Sequence, residues 1–366
     1  MSRFPTHDVD QRDSNEVAAY ARSVRRVLAV VAAAAMIAGS LAIRSAIDRD
    51  RSDAAQVLRL TCATELDAAC RRIAADDDRV ELTVEPAGVT ADRLATLDAA
   101  PDLDGWLVAA PWPEIVDGQR RARALAPLFS AERPTVARSP LVFVIWRDRF
   151  AALSPRCPAP ASPGWRCLGE AAATPGGWAA VGGRPEWGPV KPGHASPDTD
   201  GVGLLVLGQA VVGFFGRTDL SSADLDDEAF TRWFAALERA VPPAAGSPLE
   251  SMLVVGPAAF DAAGTTEAEA VPLISRSARG DALTLLYPSP MATADVVLAT
   301  TGGGREPRSL RERLDSDEGR QALTDTGWRV GSGSRPDLPA LAATSGLPSP
   351  GFLDALRGRW REVARR

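Results

Sequence analysis

The stretch PVKPGHASPDTDGVGLLVL, Pro189 to Leu207, gathers much of what could do chemistry in this sequence. It holds Lys191, the sole lysine, and His194, then the turn Thr199–Asp200–Gly201 and an apolar surge. A polar, turn-rich run that breaks into an apolar helix leaves the first backbone N–H groups of that helix open. Such a start either holds a ligand, by its N–H groups and dipole, or is only a helix start. Catalytic readings find no support. There is no G-x-S-x-G elbow, Walker A loop, H-E-x-x-H or strand-linked G-x-G-x-x-G. His7 is the only other histidine, so a Ser–His–Asp triad would have to use His194, and no serine context favours it. The pair Asp226–Asp227 reads as a solvated helix start. No enzyme and no cofactor is expected.

Four cysteines fall in two local pairs, Cys62 with Cys70 and Cys157 with Cys167. C-x7-C and C-x9-C are not zinc-ligand spacings, so no metal is expected. Two local disulfides in an oxidising compartment fit the pattern.

The elements that must position these residues follow an α/β order. VLRLTC reads as a strand, Leu66 to Ala75 as a helix, RVELTVEP as a strand, TADRLATLDAA as a short helix and LDGWLVAAP as a third strand. That β-α-β-α-β order predicts a parallel sheet wrapped by helices. SPLVFVIW, Ser139 to Trp146, is the strongest strand pattern in the chain. Residues 151–177 turn to proline, alanine and glycine and read as a surface excursion between lobes, followed by a strand at GWAAVGG. A helix is expected from Gly203 to Phe215. In DDEAFTRWFAALERAV the apolar positions 230, 233, 234 and 237 form one helical face. SMLVVGPAAFDAAG reads as strand then helix, and ALTLLYPSP and ADVVLATT as two strands. SDEGRQALTDTGWR is a late helix stopped by Gly327. Residues 331–348 form a linker and Phe352 to Arg366 a short basic helix.

The chain has 366 residues, 45% hydrophobic and 24% charged, which suits two domains or one domain of two lobes. A net charge of −6 and the lack of a basic, aromatic-interleaved stripe exclude a nucleic-acid partner. Val27 to Ile43 is seventeen residues without a charge, at the short end of a membrane span. Arg22, Arg25 and Arg26 precede it, which puts residues 1–26 in the cytoplasm. A cleaved signal peptide or a core helix are the rival readings, but no A-x-A site follows closely and the polar leader is long. The expected plan is a leader (1–26), a transmembrane anchor (27–43), a tether (44–56) and an extracytoplasmic α/β domain. Lobe one takes residues 57–150 and 284–330, lobe two 151–283, and 331–366 end the chain.

Several segments, in order, resemble the bacterial extracytoplasmic solute-binding proteins of the type II periplasmic-binding fold. ARSPLVFVI is similar to the hinge-side strand, and WGPVKPGHASPDTDGVGLLVL to the second-lobe signature entering a helix. SMLVVGPAAF, LTLLYPSPMATADVVLATT and DEGRQALTDTGWR resemble the units that follow. The likeness covers roughly residues 57–330 and extends to the binding-protein part of solute-binding/von Willebrand factor A domain proteins. No D-x-S-x-S metal motif of the latter domain occurs. The resemblance implies a hinged cleft that closes over a small solute, with a transporter or envelope protein as partner. It carries ligand contacts to Thr61, Thr64, Ser139, Thr199, Asp200, Gly201 and Tyr287. Each has a plainer reading: Thr61 and Thr64 as helix caps, Ser139 as a turn residue, Tyr287 as hinge packing. Trp106, Trp112 and Trp187 either line the cleft or belong to the core. Asp200 stands where the family places a small hydroxyl. A carboxylate there caps a helix but repels an anion, which leaves a cationic, neutral or peptide-like ligand, or no small ligand at all. In that last case the fold serves as an envelope interaction or sensing module.

Overall fold

The computed structural model describes residues 57–75, 77–157, 164–243, 246–301, 308–331, 338–341 and 344–364. Ahead of them Met36, residues 39–40 and 43–45 are helical. The chain divides into two units, Met1–Val57 and Leu58–Arg366, and the fold below is that of the second. The expected leader and nearly all of the expected anchor and tether lie outside the described residues. Among the described residues no helix is long and apolar enough to cross a membrane.

Lobe one begins with β1 (Leu58–Ala63), a 3-10 turn (Thr64–Leu66), α1 (Asp67–Ala74), β2 (Val80–Glu85), α2 (Ala87–Thr96), β3 (Gly105–Ala109) and α3 (Trp112–Ala122). β1 pairs in parallel with both β2 and β3, the arrangement that the β-α-β-α-β order predicts. All five residues of β3 are buried, as a strand covered on both faces must be.

The long strand β4 (Thr135–Trp146) then leaves this sheet. Its first half pairs with β8 (Thr293–Thr300), ending in the register Ser139↔Ala294 and Pro140↔Thr293. From Leu141 onward it pairs instead with β6 (Ala262–Thr266), and from Phe143 with β7 (Leu283–Leu286). Pro140 stands at the change of partners, where its missing N–H removes no bond from either ladder. A two-residue β5 (Pro192–Gly193) joins the far edge, and the strand order is β2-β1-β3-β8-β4-β6-β5. β4 and the segment between β7 and β8 are therefore the crossings between two α/β lobes. The return crossing follows β7, which ends at Leu286.

Lobe two carries α4 (Arg147–Leu153), α5 (Trp165–Ala173), α6 (Gly177–Ala180), α7 (Gly201–Phe215), α8 (Glu228–Ala240), α9 (Pro248–Val255) and α10 (Glu267–Arg276). Every residue of α7 from Gly201 to Val212 is buried, which is why its sequence is apolar all round. α8 buries Phe230, Trp233, Phe234 and Leu237, the face read from its spacing. α11 (Arg308–Asp315) and α12 (Asp317–Asp325) return to lobe one, and Gly327, at φ 93°, follows α12 as expected.

Three local expectations fail, each for a tertiary or capping reason. GWAAVGG is not a strand: α6 forms there, between Gly176 and Gly182, both at positive φ. SMLVVGPAAFDAAG is helix then strand, the reverse of the expected order. Ser247 caps α9 by accepting from the Glu250 N–H, Pro248 opens it, and Gly256 at φ 93° stops it. The strand β6, AAGTT, is built of small residues because a Cβ at Gly264 would collide with the Trp165 ring and Val206. Residues 151–177 are more than a surface excursion, since α5 buries Trp165 and Leu168.

Both expected disulfides form, Cys62–Cys70 and Cys157–Cys167. After the linker, α13 (Pro350–Ala364) buries Phe352, Leu353, Leu356 and Arg357 against α3, α7 and α8.

Candidate functional site

The lobes meet where the turn before α7 faces the starts of α2 and α3 and the 3-10 turn after β1. The Gly88 N–H donates to the Thr199 carbonyl (2.9 Å), and the Trp112 indole N–H to the Gly201 carbonyl (3.1 Å). Two glycines make the approach possible. A Cβ at Gly88 would overlap the Asp198 carbonyl, and one at Gly201 would overlap the Glu65 carboxylate. Asp200 caps α7, its Oδ1 accepting from the Gly203 N–H at 2.7 Å.

The electrostatics of this cleft are one-sided. Both carboxylate oxygens of Glu65 are buried and no other residue donates to them, its own backbone N–H alone acting on the carboxylate. Burial, reinforced by Asp200, pushes the Glu65 carboxyl up to about 8. Burial also raises Asp200, against the Gly203 and Val202 N–H groups and His194. Glu269, in the first turn of α10, is raised by burial, against hydrogen bonds from the Ser247 and Thr265 hydroxyls, while Asp200 and Glu250 add to the rise. Glu65 comes from lobe one, and Asp200 and Glu269 from lobe two. His194 is buried beside them and faces Glu238, with Nε2 and Oε1 3.1 Å apart. Burial works against its imidazolium, but Glu238 outweighs it and raises the pKa. Among the described residues no group of His, Cys, Asp or Glu is placed to hold a metal ion.

Five of the seven residues singled out in the sequence fall into two groups. Thr199, Asp200 and Gly201 lie at the lobe contact with Glu65. Ser139 and Tyr287 lie at the crossing, around the start of α10. Ser139 Oγ, fully buried, accepts from the Ala268 N–H (3.0 Å), so it holds a helix N-terminus of lobe two. The Tyr287 hydroxyl donates to Glu267 Oε2 (2.6 Å), and Glu267 forms a two-pronged, fully buried pair with Arg329. Thr61 is buried on β1 opposite Trp106, Thr64 is exposed, and no side-chain hydroxyl caps the turn between β1 and α1. Trp112 reaches the lobe contact. Trp106 packs in the core on Phe129, and Trp187 lies under the Arg149 guanidinium, 3.8 Å from its ring centre. A cavity of ≈ 410 Å³ beside the second disulfide, lined by Trp165, Gln209 and Pro288–Pro290 among others, includes none of the three cleft carboxylates.

Sequence reasoning passed over Glu65, Glu269 and Arg357. A glutamate one residue into a helical turn reads as a dipole partner, so TEL and TEAE offered no distinct signal. Arg357 belonged to a helix read only as short and basic, yet it is 1% exposed. It donates to both oxygens of Asp92 (2.7 and 3.0 Å) on α2, to the Gly88 carbonyl (3.3 Å) and to the Asp198 carbonyl of lobe two. Arg361 repeats the bridge to Asp92 and Asp198. The Gln119 amide donates to Asp354 (2.6 Å), and the Trp360 indole to Glu238 (2.7 Å). α13 is thus a strap bonded to both lobes beside the cleft.

Residues 58–329 match the family described as bacterial extracellular solute-binding protein. No curated protein matches the sequence. Among solved structures the fold is similar to a periplasmic thiamin-binding protein (TM-score 0.56, 12% identity, covering 84% of this chain and 95% of that one). It is similar to AfuA from Actinobacillus pleuropneumoniae with exogenous fructose-6-phosphate bound (TM-score 0.53, 13% identity, 85% and 97%). It is also similar to iron-bound HitA from Pseudomonas aeruginosa (TM-score 0.53, 15% identity, 84% and 98%). With two lobes joined by strand crossings and a match that runs from β1 past the end of α12, this chain belongs to the bacterial extracellular solute-binding proteins and has their periplasmic-binding fold.

Proposed function

We propose that the protein is a membrane-anchored, extracytoplasmic solute-binding protein whose lobes close over a small solute, and that it catalyses no reaction. The observation that carries this reading is the contact across the cleft. Gly88 and Trp112 of lobe one meet Thr199 and Gly201 of lobe two by direct hydrogen bonds, at glycines where no side chain intervenes. Such a contact between lobes, flanked by crossing strands, supports a hinge that closes over a ligand. The uncharged Val27–Ile43 segment after three arginines supports the anchor, and the family supports a place outside the cytoplasm. The solved neighbours hold ligands as different as a sugar phosphate and iron, so the fold leaves the solute open.

A second reading is favoured by one observation: Glu65 and α13 already fill the cleft and tie it shut, as in a binding fold kept as an envelope interaction or sensing module. Thermal-shift screening of the purified protein against ions, sugars, amino acids and polyamines separates the two. Solute binding predicts at least one ligand that raises the melting temperature. A flat screen together with scattering that shows no change of shape favours the second reading. Fractionation of cells before and after carbonate extraction tests the anchor, and release of the protein by carbonate would count against it.

A further inference from the structure

Among the described residues, buried carboxylates elsewhere in the molecule have donors. Asp261 accepts from Arg149, the Trp178 indole and the Lys191 N–H. Glu267 has Arg329 and Tyr287, and Glu238 has His194 and Trp360. Glu65 departs from this rule, for both of its oxygens are buried and no other residue donates to either, its own backbone N–H alone acting on the carboxylate. The charged groups acting on it are Asp200 and Glu269, both carboxylates. A carboxylate taken out of water without a partner is costly, and like charges beside it add to the cost. The arrangement spans the two lobes, because Glu65 lies against Gly201 of the opposite lobe.

We infer that the cleft takes the positively charged end of a small organic solute, a primary ammonium or a guanidinium, anchored by the Glu65 carboxylate with Asp200 and Glu269 as its electrostatic partners. This rests on the solute-binding reading above. Three further observations point the same way. An anion finds the helix starts already taken, since Asp200 accepts from the Gly203 N–H of α7 and Ser139 from the Ala268 N–H of α10. A bare metal ion finds no set of ligands among the described residues, whereas N–H donors can satisfy carboxylate oxygens directionally. Until a cation arrives, protons take its place, which agrees with the raised pKa values of all three carboxyls. The remaining ionisable neighbours are Glu250, beside Glu269, and His194, whose charge is already engaged by Glu238. Binding of the cation therefore releases protons at pH values below about 8, the bound set by Glu65.

The test uses the full-length chain in detergent and three four-carbon probes matched in size: putrescine, 1,4-butanediol and succinate, with methylguanidine as a second cation. Putrescine or methylguanidine should raise the melting temperature by at least about 3 °C at saturation, and the other two should not. Calorimetry at pH 7 in buffers of different ionisation enthalpy should show proton release on binding. Glu65→Gln should weaken cation binding by about tenfold or more, while Glu65→Asp, which keeps the charge, should retain part of it and shows whether the site still folds. Unchanged cation affinity in Glu65→Gln overturns the inference. Preferential binding of succinate, or of any anionic or neutral solute in a wider library, also overturns it and leaves the solute-binding reading standing. If no solute of any charge binds, either to this protein or to an Arg357→Ala variant with the strap loosened, both readings fall together.

Discussion

At the scale of single residues, the cleft couples stability to pH through groups held away from their ordinary values. A carboxyl whose pKa rises on folding favours the protonated form in the folded protein. Its contribution is complete below the unfolded pKa and is lost as pH rises through the folded value, here about 8 for Glu65. Asp200, Glu269 and His194 are also raised, so they have the same sign. Stability without solute should therefore fall from pH 5 to above pH 8. Glu65→Gln should flatten that decline and leave the protein more stable than the parent at pH 8.5, by roughly 2–4 kcal/mol from linkage. Denaturant melts at a series of pH values measure this directly. A Glu65→Gln curve parallel to the parent curve would show that Glu65 is ionised in the folded state.

At the scale of elements, α13 buries Phe352, Leu353 and Leu356 and carries one buried charge, Arg357. Arg357 is buried, while Asp92 and Asp198 remain 48% and 33% exposed. Removing the guanidinium therefore strands no buried carboxylate, and the cost falls below the range for breaking a wholly buried pair. Arg357→Ala should destabilise by about 2 kcal/mol, from lost charge-assisted hydrogen bonds and from lost packing over Trp112, whose ring centre is 5.0 Å away. The more specific expectation concerns exchange. The Gly88 N–H, which donates across the cleft, should lose protection in Arg357→Ala more than amides in the core of β3 do. Equal loss at both would make α13 a general stabiliser and not a strap. Gly208 on α7 supports the same contact, because a Cβ there would take the place of the Leu353 side chain.

At the scale of the whole molecule, the proposed closure turns on the two crossings, with Gly88 and Gly201 at the closest approach of the lobes. In Gly88→Val the branched side chain would collide with the Asp198 carbonyl and the Arg357 guanidinium. That variant should stay folded, because Gly88 lies in the first turn of α2 and belongs to no strand, but it should not close. Solution scattering should give a larger radius of gyration than the parent, and solute-induced compaction should be absent. A parent-like scattering curve would mean that the lobes close along another face.

Much of the fold is legible in the sequence because local patterns carry it. Alternation and apolar runs mark β1 to β4, the 230, 233, 234, 237 spacing marks α8, Gly327 marks the end of α12, and short separations pair the cysteines. Asp200 announces itself as a cap because capping needs only the next three residues. The local signal misleads where a partner overrides it: SMLVV looks like a strand until its caps are seen, and AAGTT looks like nothing until Trp165 lies on it. What only the tertiary structure decides is the meeting of Glu65, Asp200 and Glu269, and the burial of Arg357 between Asp92 and Asp198. No local preference links positions so far apart. They are brought together by the register of β4, which changes partners at Pro140 and so sets where one lobe faces the other.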